Sequence, residues 1–150
     1  MFRQILLPTD GSQGVGQAID AAVAVAEKFD ARIHVLFVAE PPRFHEYGAS
    51  VALTNIMETL QESGRQILDE TAERFRNRGL SAVETALRQG HPAEEIKAYA
   101  EANDIDLVVM GTHGRRGINR MLLGSVTEEV VRTSHAPVMT VRMASPESEA

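Results

Sequence analysis

The strongest constraint on the fold is a set of short apolar runs in which hydrophobic residues follow one another instead of alternating with polar ones. Residues 4–8 (Gln-Ile-Leu-Leu-Pro), 32–38 (Arg-Ile-His-Val-Leu-Phe-Val), 106–110 (Asp-Leu-Val-Val-Met) and 137–142 (Pro-Val-Met-Thr-Val-Arg) have this character. Period-two alternation marks a strand with one wet face. An unbroken apolar run marks a strand covered on both faces, as in a parallel sheet between two helical layers. Residues 82–87 form a fifth, weaker candidate that alternates only in part.

Between these runs the apolar period changes to that of a helix. Ala18, Ile19, Ala22, Val23, Val25, Ala26 and Phe29 trace one wide face, with Asp10 or Ser12 placed to cap its start. Leu53, Ile56, Met57, Leu60, Gly64, Ile67, Leu68, Thr71 and Phe75 trace a second, longer stripe, and Gly79 follows where a left-handed cap belongs. Gly90-His91-Pro92 opens a third helix, which Asn103 or Asp104 ends, and Ser125-x-x-Glu128 has the form of a capping box opening a fourth. Residues 39–50, with Pro41-Pro42 and Gly48, read as a surface loop. The order is βαβαβαβαβ. Right-handed crossovers then predict an α/β fold with a doubly wound, five-stranded parallel sheet.

A chain of 150 residues supports one domain, expected over 1–143, with 144–150 as a flexible acidic tail. With no cysteine, disulfides, thiolate metal sites and a cysteine nucleophile are excluded. The net charge of −6 argues against nucleic acid and anionic membranes as partners, because both demand a broad basic face. No apolar run is long enough to span a bilayer, and the start shows no signal-peptide cleavage pattern, so a cytoplasmic protein is expected.

Ligands of open parallel sheets bind beyond the carboxyl ends of the strands, where the strand order reverses. Two strand ends carry unusual sequence: Pro8-Thr9-Asp10-Gly11-Ser12 and Gly111-Thr112-His113-Gly114. Strand order 3-2-1-4-5 makes the first and fourth strands neighbours and lines one crevice with both segments. From Leu107 to Thr127 there is no acidic residue, yet Arg115, Arg116 and Arg120 occur among Gly111, Gly114, Gly117 and Gly124. Glycines let successive main-chain N–H groups converge on an anion, and the helix opening at Ser125 aims its positive end at the same place. Phosphate groups of a nucleotide suit such a site. The plainer alternative is a solvated loop whose glycines serve turns only. Neither lysine, Lys28 or Lys97, follows a P-loop, and Ile19 occupies the third glycine position of a dinucleotide fingerprint begun by Gly14 and Gly16.

From Ile5 to Arg142 the chain resembles the universal stress protein family, ATP-binding subclass. The resemblance rests on Ile-Leu-Leu-Pro-Thr-Asp-Gly-Ser at 5–12 and Leu-Val-Val-Met-Gly-Thr-His-Gly-Arg at 107–115. It rests as well on the spacing Gly-x-x-Gly, nine residues, Gly-Ser, met by Gly111, Gly114, Gly124 and Ser125. The resemblance implies a Rossmann-like sheet of the adenine nucleotide alpha hydrolase-like kind, in order 3-2-1-4-5, with ATP (or AMP or ADP) in the crevice and Mg or Mn accompanying the phosphates. By position, Gly111, Gly114, Gly124 and Ser125 would hold ribose and phosphates, with Val126 and Thr127 extending the helix start. Pro8, Thr9 and Asp10 would line the base and ribose side, and Val38 would meet adenine through its backbone. Met110 and His113 complete the wall, and Arg115 lies near the phosphates. Family members also dimerise through the last strand, here Val138, Met139, Thr140, Val141 and Arg142, which implies a homodimer.

The remaining candidates have ordinary alternatives. His113 is a loop histidine that can serve as a base or merely as a hydrogen-bond partner. His34, His45, His91 and His135 are scattered without metal-ligand spacing. Asp10 can help hold an ion carried by the phosphates or cap the first helix. Gly14 and Gly16 sit where better helix formers are expected, which suggests close approach of a ligand or of the long loop. An anion cradle with no positioned base and no phosphate lysine favours a nucleotide-dependent regulatory module read by an unknown protein partner, and the family resemblance implies that it serves stress adaptation. The alternative is a slow ATPase or phosphotransferase using the same pocket.

Overall fold

The structure, a computed structural model, describes residues 1–12, 14–42, 51–112 and 123–142. In chain order the elements are β1 (Gln4–Pro8), α1 (Val15–Phe29), β2 (Arg32–Ala39), α2 (Val51–Asn77) and β3 (Val83–Gln89). There follow α3 (Pro92–Ala102), β4 (Leu107–Gly111), α4 (Ser125–Thr133) and β5 (Val138–Val141). The five strands form one sheet in the order β3-β2-β1-β4-β5, and every pairing is parallel.

The unbroken apolar runs have the expected cause. Ile5, Leu6 and Leu7 are consecutive and all 0% exposed, which requires cover on both faces. Ile5 and Leu7 pack with Ile33, Val35, Phe37, Leu107 and Val109 under α1 and α2. Leu6 packs with Leu36, Val108 and Met110 under α3 and α4. The two edge strands are the least covered, β3 with four exposed positions and β5 with no buried one, and the β3 run accordingly alternates in part.

Local signals shape the joints. Gly79 adopts φ +89, and the Leu80 N–H returns to the Phe75 carbonyl (3.2 Å) while the Gly79 N–H reaches Arg76 (2.9 Å). This is the left-handed cap expected there. Pro92 takes the first turn of α3 as its fixed φ favours. Asp106, expected to head the fourth strand, lies just before it. Its carboxylate accepts the N–H groups of Arg3 and Gln4 at 2.9–3.2 Å, tying the start of β1 to β4.

Other local expectations are overturned. Neither Asp10 nor Ser12 caps α1: Gly14 is its N-cap, with no side-chain bond, and the Asp10 carboxylate instead accepts the Ser12 N–H (2.9 Å) in a tight turn. Nor does Ser125 cap α4. Gly124 holds that position in extended backbone, Ser125 is the first helical residue, and no side chain caps the helix. Gly14 therefore sits where glycine is well tolerated. A Cβ on Gly16 would lie 3.1 Å from the tip of the Arg74 side chain of α2, a flexible group that can move aside. Ala39, expected in the loop, ends β2 and accepts the Gly90 N–H (3.0 Å). Residues 43–50 of the loop expected over 39–50, and the whole of the tail expected over 144–150, lie outside the described residues.

Candidate functional site

The reversal of strand order falls between β1 and β4, since α1 and α2 cover one face and α3 and α4 the other. Ile5 pairs with Leu107 and Leu6 with Val108. Continued two residues, that register sets Pro8 level with Met110, so both unusual segments leave the sheet side by side.

On the β1 side, the Thr9 N–H donates to the Leu36 carbonyl (2.9 Å) and the Thr9 hydroxyl accepts the Gly11 N–H (3.1 Å), with Gly11 at φ +81. Thr9 is buried and Asp10 exposed at the rim. On β2, Arg32 N–H bonds to Arg3 and the Leu36 carbonyl to Thr9, so even-numbered residues turn their backbone groups toward β1. Odd-numbered residues turn toward β3, as Ile33 with Ala82 and Ala39 with Gly90 demonstrate. Val38 is even. Its N–H and C=O face the β1 side one step past the Thr9–Leu36 bond, where β1 has already left the sheet.

On the β4 side, the Thr112 N–H donates to Val141 (2.9 Å) and the Gly124 N–H donates to Thr112 (2.6 Å), which pinches the two ends of the Gly-rich and Arg-rich segment together. The Gly124 N–H is thus committed within the chain. Gly124 contributes a bare N-cap (φ −60, ψ 153), not an amide. The first intrahelical bond of α4 runs from the Glu128 N–H to the Gly124 carbonyl (2.9 Å). The N–H groups of Ser125, Val126 and Thr127 precede it and point out of the helix start. Ser125 is exposed there, and Val126 is half-buried. The Thr127 hydroxyl donates to the Gly111 carbonyl (2.9 Å), anchoring this first turn to the end of β4. Glu128, also in the first turn, lies 3.6 Å from Arg132.

The structure therefore brings Pro8, Thr9, Asp10, Val38, Met110, Gly111, Gly124, Ser125, Val126 and Thr127 to one edge of the sheet. Met110 is 6% exposed and packs into the α3–α4 core, and Thr127 is 5% exposed. His113, Gly114 and Arg115 lie outside the described residues. A further cluster escaped sequence reasoning. His91, at the N-cap of α3, has Nε2 3.0 Å from Glu129 Oε2 on α4 and Nδ1 3.8 Å from Glu40 Oε1 just past β2. The hydrogen bond to Glu129 raises the His91 pKa above its ordinary value, with the charges of Glu129, Glu94 and Glu40 adding to it and desolvation opposing it. The one available signal was its place at a strand end between Gly90 and Pro92.

Among the described residues no group of three or more His, Cys, Asp or Glu side chains can hold a metal ion. Nor is any described helix long and apolar enough to cross a membrane.

The sequence profile of the universal stress protein family matches residues 1–142. The universal stress protein MJ0531 of Methanocaldococcus jannaschii is 35% identical over 142 residues, covering 95% of this chain and 83% of its own. Among solved structures, the universal stress protein UspA from Lactobacillus plantarum superimposes with a TM-score of 0.85 at 24% identity, over 94% of this chain and 98% of its own. A universal stress protein crystallised in complex with cAMP superimposes with a TM-score of 0.72 at 26% identity, over 95% of this chain and 99% of its own.

Proposed function

The chain belongs to the universal stress protein family, and from that premise we propose that it binds an adenine nucleotide, ATP above all, as a regulatory module in stress adaptation. The observation that carries this reading is the pairing, across the strand reversal, of an uncapped helix start with an open strand backbone. The α4 amides of Ser125, Val126 and Thr127 suit phosphate oxygens, helped by the positive end of the helix dipole. Glycine at Gly124 keeps a side chain out of the approach. The Val38 C=O and N–H offer an acceptor beside a donor, which complements the exocyclic amine and ring nitrogen of adenine. The relative crystallised with cAMP supports the same class of ligand.

An accompanying Mg or Mn ion would ride on the phosphates, with Asp10 the carboxylate placed at the end of β1 to meet it. The lysines do not serve phosphoryl transfer at this edge: Lys28 closes α1 at the opposite end of the sheet, and Lys97 lies more than one turn into α3. Binding that a cytoplasmic protein partner reads is therefore favoured over turnover. We further propose a homodimer through the β5 edge.

Isothermal titration of ATP tests the site. The wild-type chain is expected to bind, and Gly124→Val and Gly114→Val to weaken binding by at least about tenfold, or 1.4 kcal/mol. The extended backbone at Gly124 accepts valine without strain, so that variant should fold. Equal affinities, or no binding to the wild type, would remove the assignment.

A further inference from the structure

His91 joins three elements at the carboxyl edge of the sheet. Its own element is α3, Glu129 reaches it from α4 at 3.0 Å, and Glu40 reaches it from the end of β2 at 3.8 Å. Its backbone is held on both sides. Gly90, at φ +147, donates its N–H to Ala39, and Pro92 fixes the next residue. The charged groups that face it among the described residues are all acidic: Glu40 from just past β2, Glu129 from α4, and Glu94 from α3. Glu95 of α3 adds a carboxylate close over Gly90.

Glu129 follows Ser125 by four residues and so shares its helix face, one turn below the proposed anion seat. Helical side chains lean toward the N-terminus, which carries this carboxylate toward the seat rather than away from it. A negative charge there works against any phosphate. The one cation that the described structure sets against it is the protonated His91 ring.

Resting on the nucleotide-binding reading, we propose that His91 is a proton-operated counter-charge for the anion seat: protonated, it neutralises Glu129 and ties α4 to α3, and deprotonated, it leaves the surrounding carboxylates uncompensated and weakens polyphosphate binding. Acidification then strengthens nucleotide binding, and by linkage a bound nucleotide must hold the proton on His91 more tightly. The rise of the His91 pKa above 6.5 brings this transition toward neutral pH, where it is usable.

The test uses the full chain with ATP as the probe. Titration calorimetry from pH 6 to 8.5 should show wild-type affinity falling with pH by about fivefold more than that of His91→Gln, at the lower end of ordinary site–site coupling. The phosphate groups titrate identically against both proteins, so the difference isolates the imidazole. Uncharged adenosine should show no such difference. In the wild type alone, the NMR titration of the His91 ring should move upward on adding ATP, by the logarithm of the same factor. ATP binding with the same pH profile in both proteins, or an unmoved His91 titration, overturns the proposal while leaving the nucleotide site intact. Failure of ATP to bind the wild type at any pH overturns both.

Discussion

At the scale of single residues, the buried histidine is the most telling case. His34 is 3% exposed, yet its ring is fully engaged: Nε2 lies 2.7 Å from Gln4 Oε1 and Nδ1 lies 2.8 Å from the Tyr99 hydroxyl. With Gln4 presenting its carbonyl oxygen, Nε2 carries the proton and Nδ1 accepts the Tyr99 O–H, an arrangement that only a neutral ring can make. Glu84, 3.6 Å from Nδ1, favours the charged ring, but burial outweighs it and holds the His34 pKa below its ordinary value, with Arg32 pushing the same way. The sign of the stability effect follows. The unfolded chain protonates this residue near 6.5 and the folded chain only lower, so the contribution is complete above pH 6.5 and shrinks as pH falls through that value. His91 acts in the opposite sense, adding stability below 6.5 that is lost as pH rises through its raised folded value. Urea unfolding at pH 7.5 and pH 5 should therefore show a smaller loss on acidification in His34→Gln than in the wild type. An equal loss in both would mean that His34 is charged when folded.

At the scale of elements, the distance between α2 and the sheet is set by one missing side chain. Gly64 lies in mid-helix, where glycine costs about 1 kcal/mol against alanine. A Cβ there would lie 2.5 Å and 2.7 Å from the Phe37 ring and 3.0 Å from Leu87. Both are large side chains on the sheet below, and Phe37 is buried. Overpacking a core typically costs about 1–3 kcal/mol, which exceeds the propensity gain. Gly64→Ala should thus be less stable than the wild type in denaturant, by about 1 kcal/mol net. A more stable variant would show that the helix does not sit this close. The same stripe of sequence that marked α2 as amphipathic could not reveal this, because period reports a face and not a distance. Likewise the Ser125-x-x-Glu128 pattern was legible as a helix start but misread as a cap. The Thr112–Gly124 bond makes Gly124 the turn residue and leaves the helix amides uncapped.

At the scale of the whole molecule, the strand order creates both the reversal between β1 and β4 and the two edges. The β3 edge carries Glu84 and Arg88 at exposed positions, which discourages pairing with another chain. The β5 edge is four residues long and half-buried at Val138, Met139 and Val141. The carbonyls of Pro137 and Val141 bond to β4, so the backbone groups of Val138 and Thr140 face outward. If β5 pairs with a second copy, Thr140→Pro should give a monomer by light scattering, because it removes an outward N–H without touching the β4 ladder. Val141→Glu should do the same, although Val141 also leans on the α1-side core and its fold must be checked by circular dichroism. A dimer that survives both changes would place the interface elsewhere.

The sequence by itself determined the element order, the double layer of helices and which two strand ends carry the unusual segments. Those follow from local period, strand-end composition and the handedness of crossovers, all of which are written along the chain. Only the tertiary structure decided why Gly64 is a glycine, that the Gly124 amide is spent on Thr112, and that His91 meets Glu40 and Glu129. Each of these depends on distances between residues far apart in the chain. Such distances are set by how the layers pack, and no local pattern of polarity encodes them.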